Sequence, residues 1–445
     1  MDQLADAVRN GASQEELKRA PVPADYLAAH LNAADVDMFR AVEDKDVRKS
    51  LQVGKVPMPE LAPDEVLVAV MASAINYNTV WSAMFEPVPT FRFLGSYGRL
   101  GGFAARHDRP YQVVGSDAAG VVVRAGAGVS RWHVGDHVVV SCIQVDDHEP
   151  ATHADAMLSE GQRAWGYETN FGGLAHYAVA KASQLIAKPA HLTWEEAGST
   201  MLTASTSYRM LIGDKGARIK LGDVVLIWGA TGGLGAFAAQ LVRGAGGIAV
   251  GVVGTADKEA AARALGCQVV VNREEIGLTG ADTPEQSSEQ GKRLGRIIRR
   301  EVGEDPHVAF DYVGRATFAI STFVVRRGGT VVTCGSSSGY QHYYDNRYLW
   351  MNSKRILGCH AANLLEQAET SRLFSLGRLN PVLSTVYPLA EVGDAARLVQ
   401  RNRHLGKVGV LCLAEHEGLG VTDPALRARF GAQRLNPLRT VAEAR

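Results

Sequence analysis

Cysteine is scarce in this 445-residue chain: Cys142, Cys267, Cys334, Cys359 and Cys412 are odd in number and widely scattered. They supply neither a disulfide framework nor a zinc cluster, and they fit a reducing cytoplasm. An excess of charge of one sign is missing as well. Lys plus Arg and Asp plus Glu number 47 each, which leaves no overall basic field for nucleic acid or an anionic membrane. No run of 18 apolar residues occurs, and the opening MDQLADAVRNGASQEELKRA has no apolar signal core. The expectation is a cytoplasmic chain that does not enter a membrane. What is present, 46% hydrophobic and 21% charged residues, supports full cores, and the length suits two domains or one with a large insertion.

The stretch 224–247, VVLIWGATGGLGAFAAQLVRGAGG, organises the rest. Its β-branched opening has the length of a buried parallel strand, and a glycine turn then leads into an Ala- and Leu-rich helical pattern. Such a turn lets backbone approach a pyrophosphate, while the helix N-terminus offers unpaired N–H groups and the positive end of a dipole. The strand–turn–helix context distinguishes this from a bare glycine triplet. Ala230, Thr231, Gly232, Gly233, Leu234 and Gly235 are therefore the candidates for holding a dinucleotide. The next strand, IAVGVVG, ends in Thr255-Ala-Asp-Lys258 instead of the acidic residue that would accept from a ribose 2′-OH. Asp257 comes late and suits a helix cap. A hydroxyl and a cation, Thr255 and Lys258, suit a 2′-phosphate and favour NADPH over NADH.

Along the chain, Ser13-Gln-Glu-Glu16 is a capping box, and residues 1–45 read as helices with no visible chemistry. From about 50 to 212, short strands punctuated by Gly and Asp read as a β-rich domain. Residues 213–354 alternate strand and helix as a doubly wound sheet does, with later strands in VAFDYVG and GTVVTCG. After about 355 the chain is expected to return to the first domain, and 279–291 reads as an exposed loop. Asp146, Asp147, His148, Glu149, His153 and Asp155 contain enough ligands for a metal, but no spacing fixes a geometry, so they read as a solvated loop.

A β-rich domain followed by a nucleotide fold resembles the medium-chain dehydrogenase/reductase superfamily. The resemblance implies an α/β protein: a doubly wound Rossmann domain over 213–354, and a GroES-like catalytic domain over 1–212 and 355–445 with a helical N-terminal arm. Zinc alcohol dehydrogenases of that superfamily carry Gly-His-Glu where this chain has Gly115-Ser116-Asp117, and their catalytic cysteine falls within Asn76-Tyr77-Asn78. The sulfur and imidazole ligands zinc prefers are missing there, as is a four-cysteine structural site, so no metal is expected. Without a Lewis acid the substrate must already be activated toward hydride, as a carbonyl-conjugated alkene is.

Narrower blocks are AINYNTVWS at 74–82, WGYETNFGG at 165–173, Gly339-Tyr340, YDNRYLWM at 344–351, KRILGCHAAN at 354–363 and GKVGVLCLAEHEGLGV at 406–421. Together they resemble the crotonyl-CoA carboxylase/reductases over roughly residues 15–425, with divergence concentrated at 273–313. The resemblance implies NADPH-dependent reduction of a 2-enoyl-CoA and capture of the product carbanion by CO2, giving an alkylmalonyl-CoA of the kind used as a polyketide extender unit. It also implies a homotetramer built as a dimer of dimers.

Residue by residue, the family pattern implies that Asn78 donates its amide to one CO2 oxygen, and that Glu168 and His360 hold a water for the other. Tyr167 supplies a backbone or ring contact. Taken singly, these would be a turn residue, a surface carboxylate and a satisfied histidine; their place inside matching blocks is what singles them out. Lys292, Arg299 and Arg347 are the implied cations for the CoA phosphates, although Lys292 and Arg299 also fit the solvated face of a basic helix. GSYGRLGGF at 95–103 lacks a preceding apolar strand and reads as a flexible loop near the acyl entrance, not a second phosphate loop.

Two departures matter. His360-Ala361-Ala362-Asn363 replaces the usual His-Phe-Ala-Asn, with Leu364 for a usual Tyr, so Ala361 and Ala362 leave space for a longer or branched acyl chain. Phe310-Asp-Tyr-Val-Gly314 is closer to generic reductases than the usual Phe-Glu-His-Pro-Gly and bears on how tightly protons are excluded. Two other readings stand beside this one: an enoyl-CoA or quinone-type reductase that does not carboxylate, and a non-catalytic nucleotide-binding protein that inherited the fold.

Overall fold

The computed structural model describes residues 2–280 and 283–443. The chain divides into two compact units, one of Met1–Leu202, Asn363–Ser375 and Leu383–Ala432, the other of Thr203–Ala362, Leu376–Val382 and Gln433–Arg445.

The first unit is built on the strand Glu65–Ile75, whose eleven residues are all buried. It pairs antiparallel with Ala119–Ala125, Tyr177–Lys181 and Lys407–Leu411, and so forms the middle of a seven-stranded sheet. Valines and alanines from these strands make the core together with Trp165, Leu174 and Phe85. The expected capping box at Ser13 and Glu16 is present and starts the helix Gln14–Arg19, after a first helix Gln3–Arg9. The expectation of helices throughout 1–45 fails beyond it, because Asp25–Asn32 is a strand. It bonds to Gln52–Pro57 on one edge and Tyr111–Val113 on the other. Those partners are distant in sequence, and their ladder overrides the helix-tolerant Ala and Leu of DYLAAHLN.

The second unit has a six-stranded parallel sheet. Its order is Val269–Asn272, Ile248–Val253, Val224–Trp228, Val308–Phe310, Thr330–Thr333, Arg355–Gly358. Numbered along the chain this is 3-2-1-4-5-6, the doubly wound arrangement. The sixth strand pairs in parallel with Thr330–Thr333, which keeps the chain in this unit through Ala362 and not only to 354. At the other boundary the unit begins at Thr203, not 213.

Three segments expected as loops are ordered differently. Of 279–291, Ala281 and Asp282 lie outside the described residues, but from Pro284 the chain is a 19-residue helix, Pro284–Val302, with a capping box between Thr283 and Gln286. Its buried stripe is Ser287, Gln290, Gly291, Leu294, Gly295 and Ile298, helically spaced but largely small and polar. A Cβ on Gly291 would come 2.4 Å from the Phe323 ring, so small residues allow close helix packing, and their polarity disguised the buried face. The 95–103 stretch is mostly helical, within Phe91–Gly98 and Gly102–His107. In the acidic cluster Asp146, His148 and His153 are exposed as expected, but Asp155 is buried and caps Met157 N, and the half-buried Glu149 accepts from Ser159, Glu160 N and Gly161 N, so these two carboxylates fasten the turn.

Candidate functional site

In the second unit the strand Val224–Trp228 is fully buried and runs into Gly229, whose φ of +60° only glycine adopts freely. The helix Gly233–Gly244 follows, capped by Gly232. A Cβ on Gly235 would lie 2.3 Å from the Gly229 carbonyl oxygen, so glycine is what lets helix and strand approach. The turn is propped by Tyr312, whose phenol donates to Gly229 O at 2.8 Å; burial pushes that phenol's pKa up, which keeps the proton in place. Tyr312 was missed in sequence because its role is contact with a turn about 80 residues away, although FDYVG was visible as a departure. Gly232 also needs its missing side chain, since a Cβ there would come 2.6 Å from the Tyr312 oxygen. The result is a cradle of backbone at a 12-residue helix N-terminus, which suits a pyrophosphate.

At the carboxyl end of the neighbouring strand Ile248–Val253, Thr255 donates its hydroxyl to Asp257, and Lys258 ends a 3-10 turn with only 9% of its surface exposed. Lys258 is thus buried at the end of this turn, directly before the helix Glu259–Ala264. A further cation faces this tip: Arg273 is exposed, and its Nε would lie 3.6 Å from a Cβ on Gly254. Its only sequence signal is its place directly after the next strand. His360 leaves the carboxyl end of the last strand, Arg355–Gly358, and is exposed. The glycine turn, Thr255, Tyr312 and His360 thus share the edge at which open parallel sheets bind ligands.

The first unit holds the other candidates. Asn78 is in the first turn of the helix Tyr77–Met84, which starts directly after the central strand. Its Nδ2 donates to Ser116 Oγ at 2.8 Å, and Ser116 donates in turn to Trp165 O at 2.7 Å. The Asn78 Oδ1 is buried without a partner. Tyr167 and Glu168 follow in the same Trp165 segment. Glu168 closes a tight turn, its carboxylate accepting from Ala164 N at 2.7 Å, and Tyr167 O accepts from Gln112 Nε2 at 2.8 Å. Asn170 anchors the segment's far end, donating its N–H to His107 Nδ1 at 3.0 Å and its side-chain amide to Tyr111 O. Burial holds His107 neutral, its pKa lowered to about 3, so Nδ1 can serve as that acceptor.

Beneath Asn78 lies a cluster that the sequence reading did not bring together. Lys407, 2% exposed, donates its ammonium to Asp117 Oδ2 at 3.0 Å, to Ile75 O at 3.1 Å and to Asn76 Oδ1. Asp117 also accepts from Asn76 Nδ2 at 2.8 Å and Leu202 N at 3.0 Å. Burial pushes the Lys407 pKa down while Asp117 opposes it. The stretch that aligned with a zinc-ligand motif is therefore held by an ammonium group. Among the described residues no group of three or more His, Cys, Asp and Glu side chains is placed for a metal ion.

The three cations singled out for CoA are all exposed in the second unit. Lys292 and Arg299 are seven residues apart on the helix Pro284–Val302, hence on one face, and Arg299 pairs with Asp305. Arg347 grips Asp345 with Nη2 at 2.6 Å and Nε at 3.0 Å. Ala361 and Ala362 are buried, and Ala361 takes a φ of +50°, which a bulky side chain resists. No helix is long and apolar enough to cross a membrane among the described residues.

Residues 62–190 match the alcohol dehydrogenase GroES-like domain, and residues 233–376 match the zinc-binding dehydrogenase family. Crotonyl-CoA reductase of Streptomyces collinus is 48% identical over 96% of each chain, and crotonyl-CoA carboxylase/reductase of Cereibacter sphaeroides is 39% identical over 85% of this chain and 88% of that one. Among solved structures, the 2-octenoyl-CoA carboxylase reductase CinF in complex with NADP and 2-octenoyl-CoA superposes with a TM-score of 0.97, at 61% identity over 99% of both chains; its apo form is from a Streptomyces species. Identity of this order over nearly the full length goes beyond a shared fold: the chain belongs to the crotonyl-CoA carboxylase/reductase family of oxidoreductases.

Proposed function

We propose that this protein uses NADPH and CO2 to convert a 2-enoyl-CoA with an acyl chain longer than crotonyl into an alkylmalonyl-CoA, a form suited to extending a polyketide. The observation that carries the reading is the full-length similarity to CinF, solved with NADP and 2-octenoyl-CoA. The exchange of a bulky family residue for Ala361 supports the longer chain.

Bound NADPH supplies a hydride to the β-carbon. Charge then collects on the α-carbon and thioester oxygen, and whichever electrophile reaches the α-carbon decides the product. A proton gives the saturated acyl-CoA; CO2, held in place with protons excluded, gives the carboxylated one. CO2 is neutral and its oxygens are weak acceptors, so donors must be fixed beforehand. Asn78 donates an amide hydrogen to one oxygen, Glu168 and His360 keep a water for the other, and Tyr167 adds a backbone or ring contact. The backbone of Ala230, Thr231, Gly232, Gly233, Leu234 and Gly235 cradles the pyrophosphate, while Thr255, Lys258 and Arg273 bind the 2′-phosphate. Lys292, Arg299 and Arg347 serve the CoA phosphates.

Four of the five free cysteines are buried and suit a reducing cytoplasm. Exposed Tyr340, Tyr343, Trp350 and Met351 support self-association to a dimer of dimers, which light scattering would measure. The deciding assay is mass spectrometry of products from NADPH with crotonyl-CoA or 2-octenoyl-CoA, with and without bicarbonate. A product heavier by one carboxyl group only with bicarbonate is expected. Saturated acyl-CoA in both arms would make the protein a plain enoyl reductase, and no turnover would leave only its nucleotide-binding fold.

A further inference from the structure

We infer that Ser116 is a positioning residue: it fixes which end of the Asn78 amide is presented as the donor. The inference rests on the reading that Asn78 donates to CO2. The nitrogen and oxygen of an amide have nearly the same shape, so hydrogen-bond partners alone decide which way it points. The Trp165 carbonyl can only accept, and it takes the single Ser116 hydroxyl proton at 2.7 Å. Ser116 Oγ is left with lone pairs only, so the Asn78 group facing it at 2.8 Å must be Nδ2. One of the two Nδ2 hydrogens is held there, the other remains as the amide's donor, and Oδ1 stays buried without a partner. Turned over, the amide would carry both hydrogens away and set a lone pair where the electron-rich oxygen of CO2 needs a hydrogen.

The relay cannot slip, because each member is tied down. Trp165 donates its backbone N–H to Cys142 O at 2.8 Å and its indole N–H to Val179 O at 2.9 Å. The next residue, Gly166, has φ +68°, and a Cβ there would lie 2.0 Å from Gly115 O. On the other side Asp117 is gripped by Lys407, Asn76 and Leu202, and its carbonyl accepts from Ser73 Oγ at 2.6 Å. Ser116 itself is 1% exposed, so water does not compete for its hydroxyl.

The test is the ratio of carboxylated to saturated product at fixed bicarbonate, a readout that does not depend on how much of a variant folds. Ser116→Ala should lower that ratio about fivefold, the Boltzmann weight of one net hydrogen bond, and raise the CO2 concentration for half-maximal carboxylation by a like factor. In an Asn78→Ala background the same change should have no further effect on the ratio. A wild-type ratio in Ser116→Ala, or an undiminished effect in the Asn78→Ala background, overturns the role of Ser116 alone. If Asn78→Ala itself leaves the ratio at wild type, or wild type makes no carboxylated product, the underlying reading falls and takes this inference with it. Should Ser116→Ala give no folded enzyme, Ser116→Cys carries the same outcomes, since a thiol is a weak donor and acceptor.

Discussion

Lys407→Met tests whether the buried ammonium group replaces other means of holding the first unit together at Asn78. Methionine keeps the unbranched stem and removes the charge, so the apolar contacts of the side chain are largely conserved. Three acceptors then lose a donor: Asp117 Oδ2, Ile75 O and Asn76 Oδ1. Asp117 is 1% exposed, so its carboxylate would remain in the interior without a counter-charge. Breaking such a pair from one side costs about 3–5 kcal/mol. Asp117 keeps hydrogen bonds from Asn76 Nδ2 and Leu202 N, which places the expectation near the lower bound, about 3 kcal/mol. The double variant Lys407→Met/Asp117→Asn removes both charges and should recover most of the loss, leaving a deficit of about 1 kcal/mol. Urea unfolding of wild type, Lys407→Met, Asp117→Asn and the double variant at pH 7, with the transition of the first unit followed separately, completes the cycle. A loss below about 1 kcal/mol in Lys407→Met, or a double variant no more stable than the single, would refute this account of the cluster.

The other predictions concern cofactor, substrate and pH. Arg273→Ala should raise KM for NADPH about tenfold while leaving NADH use near its starting level, since only NADPH has the 2′-phosphate; an equal effect on both cofactors would remove Arg273 from that role. Ala361→Phe should lower the ratio of kcat/KM for 2-octenoyl-CoA over crotonyl-CoA at least about tenfold by refilling the space, and an unchanged ratio would show that the acyl chain lies elsewhere. His107 has a pKa of about 3 when folded against 6.5 ordinarily, so the unfolded chain binds the proton first. Stability is therefore full above pH 6.5 and falls as pH drops toward 3, by at most about 1.4 kcal/mol per pH unit from this group. His107→Gln should flatten the fall of the urea midpoint between pH 6 and 4, and an unaltered slope would refute the assignment.

Local pattern made much of this protein readable. The strand, glycine turn and helix at 224–244 are consecutive in the chain, and the phosphate cradle follows from backbone that only glycine permits. The capping box at Ser13 is likewise complete within four residues. The blocks around Asn78, Glu168 and His360 carry the family resemblance in contiguous sequence. Tertiary structure decided what depends on partners far along the chain. DYLAAHLN became a strand because two distant strands bond to its edges. The basic half of the helix Pro284–Val302 is legible in sequence, but its first two turns were hidden because the buried stripe there is of small and polar residues shaped to a neighbouring ring, which hydrophobic periodicity cannot register. Arg355–Gly358 stayed with the parallel sheet because its ladder with Thr330–Thr333 is made in space. Lys407 is 290 residues from Asp117, and nothing in either neighbourhood marks the pair. Ser116 is an ordinary serine in sequence, and only the fold sets its single proton between a carbonyl that must accept and an amide that must then donate.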